Sequence, residues 1–202
     1  MRPYTLIHSR GTGSVIAQLM LELSGLPYEL ETIPYLEPGP QRDRLLALNP
    51  LGQVPTLILP DGQAMSESAA ITLLLADRAP AADAPQRPAF LRWLIFIVAA
   101  IYPTFTYGDD PAKWTLEGPA ADELRKRTDG HREALWHYLE DQIAGPWFLG
   151  DGMTALDLYL APMTRWRPRT SWFAANCPRI HAIARAIDAH PVLGKTIASN
   201  FG

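Results

Sequence analysis

The sequence of 202 residues predicts an α/β domain followed by an all-helical domain. Over residues 1–79, short strand-like runs alternate with stretches whose apolar residues recur at helical spacing. A stretch rich in Pro and Ala comes next, at residues 80–88, and has no apolar periodicity. Beyond it, at residues 89–202, we find no convincing strand pattern. We therefore expect two domains joined by a linker at 80–88.

The elements of the first domain follow from local patterns. Tyr4–His8 is apolar, partly β-branched and ends at a Gly-rich turn, which predicts a strand. The apolar spacing that starts at Ser14 predicts a helix, and Gly25 is a suitable stop signal. Alternation over Tyr28–Ile33 predicts a second strand, and the run at 41–49 predicts a short helix.

The stretch "NPLGQVPTLILPDGQAMSESAAI", at residues 49–71, holds the rest of this domain. "TLIL" predicts a strand, "PDG" a hairpin turn and "QAM" the returning strand. A helix is expected over residues 67–77. The order is then βαβαββα, which implies a mixed sheet with helices on its faces.

The second domain is predicted to consist of helices that begin near residues 89, 120, 154 and 179. Their expected breaks are Pro103, Gly118–Pro119, Gly145–Pro146 and Pro178. The most apolar run, Trp93–Tyr102, is too short to span a bilayer and predicts a buried core helix. Thr154 and Asp157 have the spacing of a capping box, which indicates a stabilising device rather than a site.

Composition argues against several classes of function. The net charge of -3 offers no basic field for nucleic acid. Cys177 is the only cysteine, so neither a disulfide framework nor a Cys-x-x-Cys pair exists. The histidines lack ligand spacing, so no metal site is expected. The start has no signal-peptide pattern, and we expect a cytoplasmic protein without a membrane partner.

Two features within residues 49–71 allow a structural and a functional interpretation. Pro55 heads a strand, and a cis Val54–Pro55 bond would leave the backbone of Val54 able to pair with an extended peptide. An ordinary trans turn is the alternative. Ser66 could cap the next helix, with Glu67 and Ser68 in its first turn. The same group could instead bind the ammonium and carboxylate of an amino acid.

The loop "HSRGTGSV", at His8–Val15, joins the first strand to the first helix. Its hydroxyls, on Ser9, Thr12 and Ser14, could stabilise a thiolate placed at the helix N-terminus. A plain turn capped by Ser14 is the alternative. The loop does not complete a dinucleotide-binding fingerprint, because Ile16 stands where the third glycine is needed.

The first strand, "LSGLPYEL", "NPLGQVPTL" and "ESAAI" occur in an order and spacing that resemble the cytosolic glutathione transferase family. "FLGDGMTALDLYLAP", at Phe148–Pro162, resembles the signature of the family's second domain. The resemblance covers nearly the whole chain. It implies a thioredoxin-like N-terminal domain followed by the all-helical domain of these enzymes.

The resemblance also implies site residues for glutathione. Val54, ahead of a cis Pro55, would pair with the cysteinyl backbone, and Gln53 would assist. Glu67 and Ser68 would hold the γ-glutamyl end.

The group that activates the sulfur is less directly indicated. His8 stands where tyrosine-type members carry their tyrosine, and Gly13 is near the position of the cysteine in other classes. The serine-type pattern of theta-, delta- or zeta-like members remains. Its catalytic hydroxyl would come from Thr12 first, then Ser14, then Ser9.

The family's activity is the attack of the glutathione thiolate on a small hydrophobic electrophile. Related outcomes are isomerisation, dehalogenation and peroxide reduction, and a binding protein without turnover is the alternative. The resemblance implies glutathione as a co-substrate, no tightly bound cofactor, and a homodimer. The electrophile is expected between the domains, near three aromatic residues: Tyr102, Phe105 and Tyr107.

Overall fold

A computed structural model describes residues 2–76, 78 and 86–202. The N-terminal domain has the predicted βαβαββα order. Its elements are β1 (Tyr4–His8), α1 (Ser14–Ser24), β2 (Tyr28–Thr32), α2 (Pro40–Leu48), β3 (Thr56–Ile58), β4 (Ala64–Met65) and α3 (Ser68–Leu75). Gly25 ends α1 with a φ of 64°, a left-handed conformation that glycine adopts without strain.

The four strands form a mixed sheet in the order β2-β1-β3-β4. β1 runs parallel to β2 and antiparallel to β3, and β4 returns antiparallel to β3. Successive side chains of β1 point to opposite faces, as the strand period requires. Leu6 therefore packs in the main core with α1 and α3, while Ile7 packs with Ile33 and Leu45 on the face that α2 covers. This is the thioredoxin-like arrangement.

Helices make up the second domain. They are α4 (Arg87–Phe96), a π-helical segment (Ile97–Ile101), α5 (Tyr102–Asp109), a short 3-10 turn (Pro111–Lys113), α6 (Pro119–Glu140), α7 (Ala155–Met163), α8 (Thr170–Asn176), α9 (Pro178–Ala189) and α10 (Leu193–Phe201). Pro119 and Pro178 open α6 and α9, where their missing N–H is not needed. The predicted linker lies outside the described residues up to residue 85, and residues 87 and 88 already belong to α4.

The predicted break at Pro103 is wrong, because helical structure continues from Arg87 to Asp109. The π-helical segment directly before α5 explains the continuity. There the N–H of Tyr102 bonds to the carbonyl of Ile97, five residues earlier, so the ladder is already opened where proline would otherwise clash. A wide turn of this kind lets the proline stay inside the helix.

By length and composition alone, this 23-residue segment could cross a membrane. Its fully buried residues Phe90, Leu94, Ile97 and Ile101 nevertheless belong to the main hydrophobic core. The segment thus packs as the central helix of the second domain, in agreement with the core helix predicted from its most apolar part.

The capping box at the start of α7 is confirmed. The Thr154 hydroxyl accepts from the N–H of Leu156, and the buried Asp157 carboxylate accepts from the N–H of Thr154 at 2.7 Å. Asp157 also accepts from the N–H of Phe148 at 2.8 Å and so ties the preceding loop to the helix. The polar groups at this helix start are thus hydrogen-bonded to one another.

Candidate functional site

A cavity of about 430 Å³ lies where the N-terminal domain meets the α4–α5 segment. Most of the residues predicted for the site line it together, although they come from four separate segments of the chain. These are Thr12, Gln53, Val54, Pro55, Glu67, Ser68 and Tyr102.

The Val54–Pro55 peptide bond is cis, as the family resemblance implied, and the alternative of a trans turn is wrong. The preceding turn is held by side chains, since the Gln53 carbonyl accepts from Thr56 Oγ1 at 2.9 Å and from Asn49 Nδ2 at 3.1 Å. Neither backbone polar group of Val54 has a protein partner within the described part of the chain. An N–H and a C=O of one residue therefore remain at the cavity wall for an extended ligand.

The start of α3 differs from the prediction that Ser66 caps the helix. The cap position is Glu67, whose carbonyl accepts from the N–H of Ile71 at 2.9 Å, and no side chain caps the helix. Glu67 has a φ of 68° and a ψ of 108°, a region that a residue with a side chain rarely adopts. Ser66 lies one residue too early to reach the first-turn N–H groups.

The first turn of α3 is consequently open. The N–H groups of Ser68, Ala69 and Ala70 have no protein acceptor among the described residues. Unsatisfied N–H groups at a helix N-terminus attract an anion, and this end of α3 faces the cavity through Ser68. The exposed Glu67 carboxylate stands beside it. The N-terminus of α3 and the Glu67 carboxylate thus place a positive and a negative pole side by side, an arrangement that can bind both charges of a zwitterion.

The loop between β1 and α1 joins three residues in one hydrogen-bonded cluster, through the hydroxyls of Thr12 and Ser14 and the backbone of Ser9. Thr12 Oγ1 lies 2.7 Å from both the Ser9 carbonyl and Ser14 Oγ. Only Thr12 of the three lines the cavity. Ser14 is fully buried as the first residue of α1, and the cap position is Gly13, so the prediction of a Ser14 cap is wrong. The buried Ser14 hydroxyl instead accepts from the N–H of Ser9 at 3.1 Å.

His8 extends this cluster into the protein interior, a role that the sequence did not indicate. Its Nδ1 lies 2.8 Å from Ser14 Oγ. Burial, together with the nearby charge of Arg10, lowers the pKa of His8 to about 4, although the neighbouring Asn200 side chain and Ser14 oppose the shift. The imidazole is therefore neutral at neutral pH and keeps an acceptor nitrogen. A histidine that ends a strand just before a hydroxyl-rich turn was the only available signal.

On the side of the second domain, the three predicted aromatic residues separate. Tyr102 lines the cavity, but Phe105 and Tyr107 do not. Phe105 is buried against Trp166 and beneath the guanidinium of Arg132, and Tyr107 turns outward onto Trp114. Their assignment to the pocket is thus corrected.

Residues that the sequence reasoning missed complete the wall. They are Gly13, Tyr35, Ser66, Val98, Pro103 and Thr106. Val98, Tyr102 and Thr106 are four residues apart and share one face of the α4–α5 segment, so helical spacing from Tyr102 could have found the other two.

Trp166 links the second domain to the hydroxyl loop. Its Nε1 donates to the Gly11 carbonyl at 2.7 Å, and its ring packs edge-on against Tyr102 and Phe105. The two bonded residues are 155 positions apart in the chain, so no local pattern could reveal the contact.

The structure also bears on a cysteine nucleophile and on a metal site. Cys177 is buried between α8 and α9, and burial, helped by Glu140 and Asp141, raises the pKa of its thiol to about 12. A thiol so held is not a nucleophile for this cavity. Across residues 2–76, 78 and 86–202, no group of three or more His, Cys, Asp or Glu could hold a metal ion.

Comparison with known proteins agrees with this architecture. A family model described as "Glutathione S-transferase, N-terminal domain" matches residues 14–78. The GST-like protein YncG of Escherichia coli K12 is 38% identical over 196 residues, 94% of this chain and 95% of that protein. A glutathione transferase from Methylococcus capsulatus superposes with a TM-score of 0.78 at 27% identity over 98% of both chains. A glutathione transferase homologue from Sulfitobacter, solved with bound glutathione, gives a TM-score of 0.83 at 19% identity over the full length of both chains. The chain belongs to the glutathione S-transferase family.

Proposed function

We propose that the protein is a glutathione transferase that holds glutathione in the cavity and presents its thiolate to a small hydrophobic electrophile. The observation that carries the proposal is the open start of α3, where Glu67 and the first-turn N–H groups face the same cavity as the Val54 backbone. Family membership and a structural neighbour with bound glutathione support this choice of ligand.

Two parts of the tripeptide then have partners: the γ-glutamyl end and the cysteinyl residue in the middle. The Glu67 carboxylate binds the γ-glutamyl ammonium, and the Ser68 hydroxyl with the α3 N–H groups binds the adjacent carboxylate. The Val54 N–H and C=O pair with the cysteinyl backbone ahead of Pro55, and Gln53 assists. This arrangement directs the sulfur towards Thr12 and Gly13, which line the cavity at the N-terminus of α1.

Thr12 is the loop residue that we propose as donor to the sulfur, because it alone of the three hydroxyl residues lines the cavity. Ser14 is the second candidate and Ser9 the third. The Ser14 hydroxyl and the Ser9 backbone are hydrogen-bonded behind Thr12, and we assign them to holding it in place.

The reaction that we propose is thiolate attack. The thiol proton leaves to water, and a sulfur lone pair forms a bond to the electrophilic carbon. A leaving group then departs with its electron pair, or a conjugated double bond takes the pair and then a proton from water. An ordinary thiol has a pKa of about 8.5 and is mostly protonated at neutral pH. A hydrogen-bond donor and the N-terminus of α1 lower this pKa, and each unit of lowering raises the thiolate fraction about tenfold.

The electrophile is placed beside Tyr102, Val98 and Pro103, which give that side of the cavity an apolar wall. Isomerisation, dehalogenation and peroxide reduction would use the same thiolate. We further propose that the protein is cytoplasmic and a homodimer. Light scattering that shows a monomer would contradict the dimer.

The experiment is turnover with glutathione and a panel of an aryl halide, an unsaturated ketone, an isothiocyanate and an organic hydroperoxide. We expect product with at least one of them, and about a tenfold loss of kcat/KM in Thr12→Val at neutral pH. Ser9→Ala serves as the control and should lose less. A Thr12→Val protein with an unchanged pH profile would contradict the assignment of Thr12.

A binding protein without turnover is the second candidate function. It is favoured by the Thr12 hydroxyl, which already lies within hydrogen-bond distance of the Ser9 carbonyl and Ser14 Oγ. Retention on immobilised glutathione, combined with no product from any electrophile of the panel, would favour this candidate over the enzyme.

A further inference from the structure

Among the described residues, the Tyr102 hydroxyl is the one buried side-chain polar group of the cavity lining that has no hydrogen-bond partner. Its ring lines the cavity, while its oxygen is buried and has no hydrogen-bond partner among the described residues. Trp166 and Phe105 pack edge-on against the ring and fix its position. A buried donor without an acceptor destabilises a protein, and such groups in native structures call for an explanation.

Gly13 shows where this hydroxyl points. A Cβ added to Gly13 would lie 3.2 Å from the Tyr102 hydroxyl oxygen and 3.7 Å from the nearest ring carbon. Gly13 has φ -60° and ψ -16°, a conformation open to any residue, so its backbone does not require glycine. Glycine is needed here for lack of space, because the Tyr102 phenol occupies the volume that a side chain at position 13 would take.

The position matters because Gly13 and Thr12 line the cavity at the start of α1. The Thr12 hydroxyl has acceptors within the loop, whereas the Tyr102 hydroxyl has none among the described residues. The Tyr102 hydroxyl is therefore a donor with its proton unused, beside the end of a helix that favours negative charge.

We propose that Tyr102 is a catalytic residue whose hydroxyl donates a hydrogen bond to the glutathione sulfur and stabilises the thiolate from the side of the second domain. The inference rests on the proposed function. The thiol proton leaves to water, and the phenol keeps its own proton throughout. Tyr102 adds to Thr12, so that one donor from each domain meets the sulfur.

The surroundings of the phenol agree with a donor that stays protonated. Burial raises the pKa of Tyr102 well above its ordinary value, and the neighbouring Tyr159 adds to the shift. The nearby Ser68 side chain offsets part of this rise in pKa, although Ser68 and the phenol are not hydrogen-bonded to each other. The phenol thus lies between the starts of α1 and α3, beside both halves of the proposed glutathione site.

The test is Tyr102→Phe, which keeps the ring and removes only the oxygen. Calorimetry gives the affinity for glutathione, and ultraviolet absorbance of the thiolate during a pH titration gives the pKa of the bound thiol. We expect about a one-unit rise in that pKa, hence about tenfold less thiolate below it, while the affinity of the protonated tripeptide changes less than about threefold. The thermal midpoint should not fall, since a buried unpartnered hydroxyl is removed.

Tyr138→Phe is the matched control, because Tyr138 is half-exposed, its hydroxyl accepts from Arg92, and neither residue lines the cavity. It should leave the thiol pKa unchanged. Gly13→Ala crowds the phenol and should imitate Tyr102→Phe in the wild-type background, but have less than about threefold further effect on turnover once the phenol is gone.

An unchanged thiol pKa in Tyr102→Phe overturns the inference even when the wild-type protein binds glutathione and forms product. If Tyr102→Phe lowers kcat while leaving the thiol pKa unchanged, the hydroxyl acts on the electrophile, and the inference is again overturned. A wild-type protein that does not bind glutathione overturns the proposed function and this inference together.

Discussion

The starts of α3 and α7 are two helix N-termini of similar composition and opposite use. At α7, the Thr154 hydroxyl accepts from the N–H of Leu156, and the fully buried Asp157 accepts from the N–H groups of Thr154 and Phe148. At α3, Glu67 is exposed with a φ of 68°, and no side chain caps the helix. A helix end that satisfies itself serves the fold, whereas one left open beside a cavity is available for a ligand.

The start of α1 combines both properties. On its buried side, Ser14 and His8 are hydrogen-bonded to each other, so these polar groups are satisfied within the protein as they are at the start of α7. Its outer part, Thr12 and Gly13, opens onto the cavity, like the start of α3. The comparison therefore predicts that changes at α7 act on stability, changes at α3 on glutathione binding, and changes at α1 on both.

The largest expected effect is at α7. Asp157→Ala leaves the buried N–H groups of Thr154 and Phe148 without acceptors, and should lower the free energy of unfolding by about 3 kcal/mol. Thr154→Ala should cost about 1 kcal/mol. Urea denaturation measures both. Glutathione affinity should stay constant in the folded variants, and a marked loss of affinity in Thr154→Ala would break the distinction between the two helix starts.

The next effect concerns His8 and pH. The pKa of His8 is about 4 in the fold and 6.5 unperturbed, so the unfolded chain binds the proton more readily between these values. The stability from neutral His8 is fully present above pH 6.5 and is lost as the pH falls towards 4. We expect a loss of about 2 kcal/mol from pH 7 to pH 5, beyond that of His8→Asn. Equal pH slopes in the two proteins would show that folding does not lower the pKa of His8.

A change at Glu67 should have smaller effects, and it should raise stability while it weakens binding. Glu67→Gly removes the backbone strain and should raise the free energy of unfolding by about 1 kcal/mol. It also removes the carboxylate and should weaken glutathione binding about tenfold. Glu67→Gln is the matched control, since it keeps the strain and loses the charge, so only binding should fall. A Glu67→Gly protein that binds glutathione normally would refute the role of the carboxylate.

The smallest expected effect is that of Ser68→Ala. The α3 N–H groups remain, so only one hydroxyl donor to the carboxylate is lost, and affinity should fall about threefold. Calorimetry at equal pH and salt measures it. Ser66→Ala is the control, because Ser66 lies outside the helix and does not cap it. If Ser66→Ala weakens binding more than Ser68→Ala, the hydroxyl that binds the carboxylate is that of Ser66 and not that of Ser68.

Sequence patterns predicted the features that are local. "QVP" and "ES" are contiguous motifs, and their residues meet at one cavity as expected. The order of strands and helices in the N-terminal domain and the capping box were likewise predictable, since each depends on residues a few positions apart.

The wrong predictions depended on geometry that residue types do not specify. The continuity of the helix through Pro103 arises from a π-helical turn, and the cap at Glu67 arises from an unusual φ. The contacts of Trp166 with Gly11 and of Tyr102 with Gly13 join distant parts of the chain. Helical spacing could have separated Val98 and Thr106 from Phe105 and Tyr107, but only once Tyr102 was known to face the cavity.

Calorimetric titration with glutathione and with cysteinylglycine, which lacks the γ-glutamyl residue, tests most directly whether the open start of α3 is a binding site. The account predicts that glutathione binds at least about tenfold more tightly, and that Glu67→Gln removes most of this difference. Equal affinities for the two ligands, or no binding of glutathione, would contradict it.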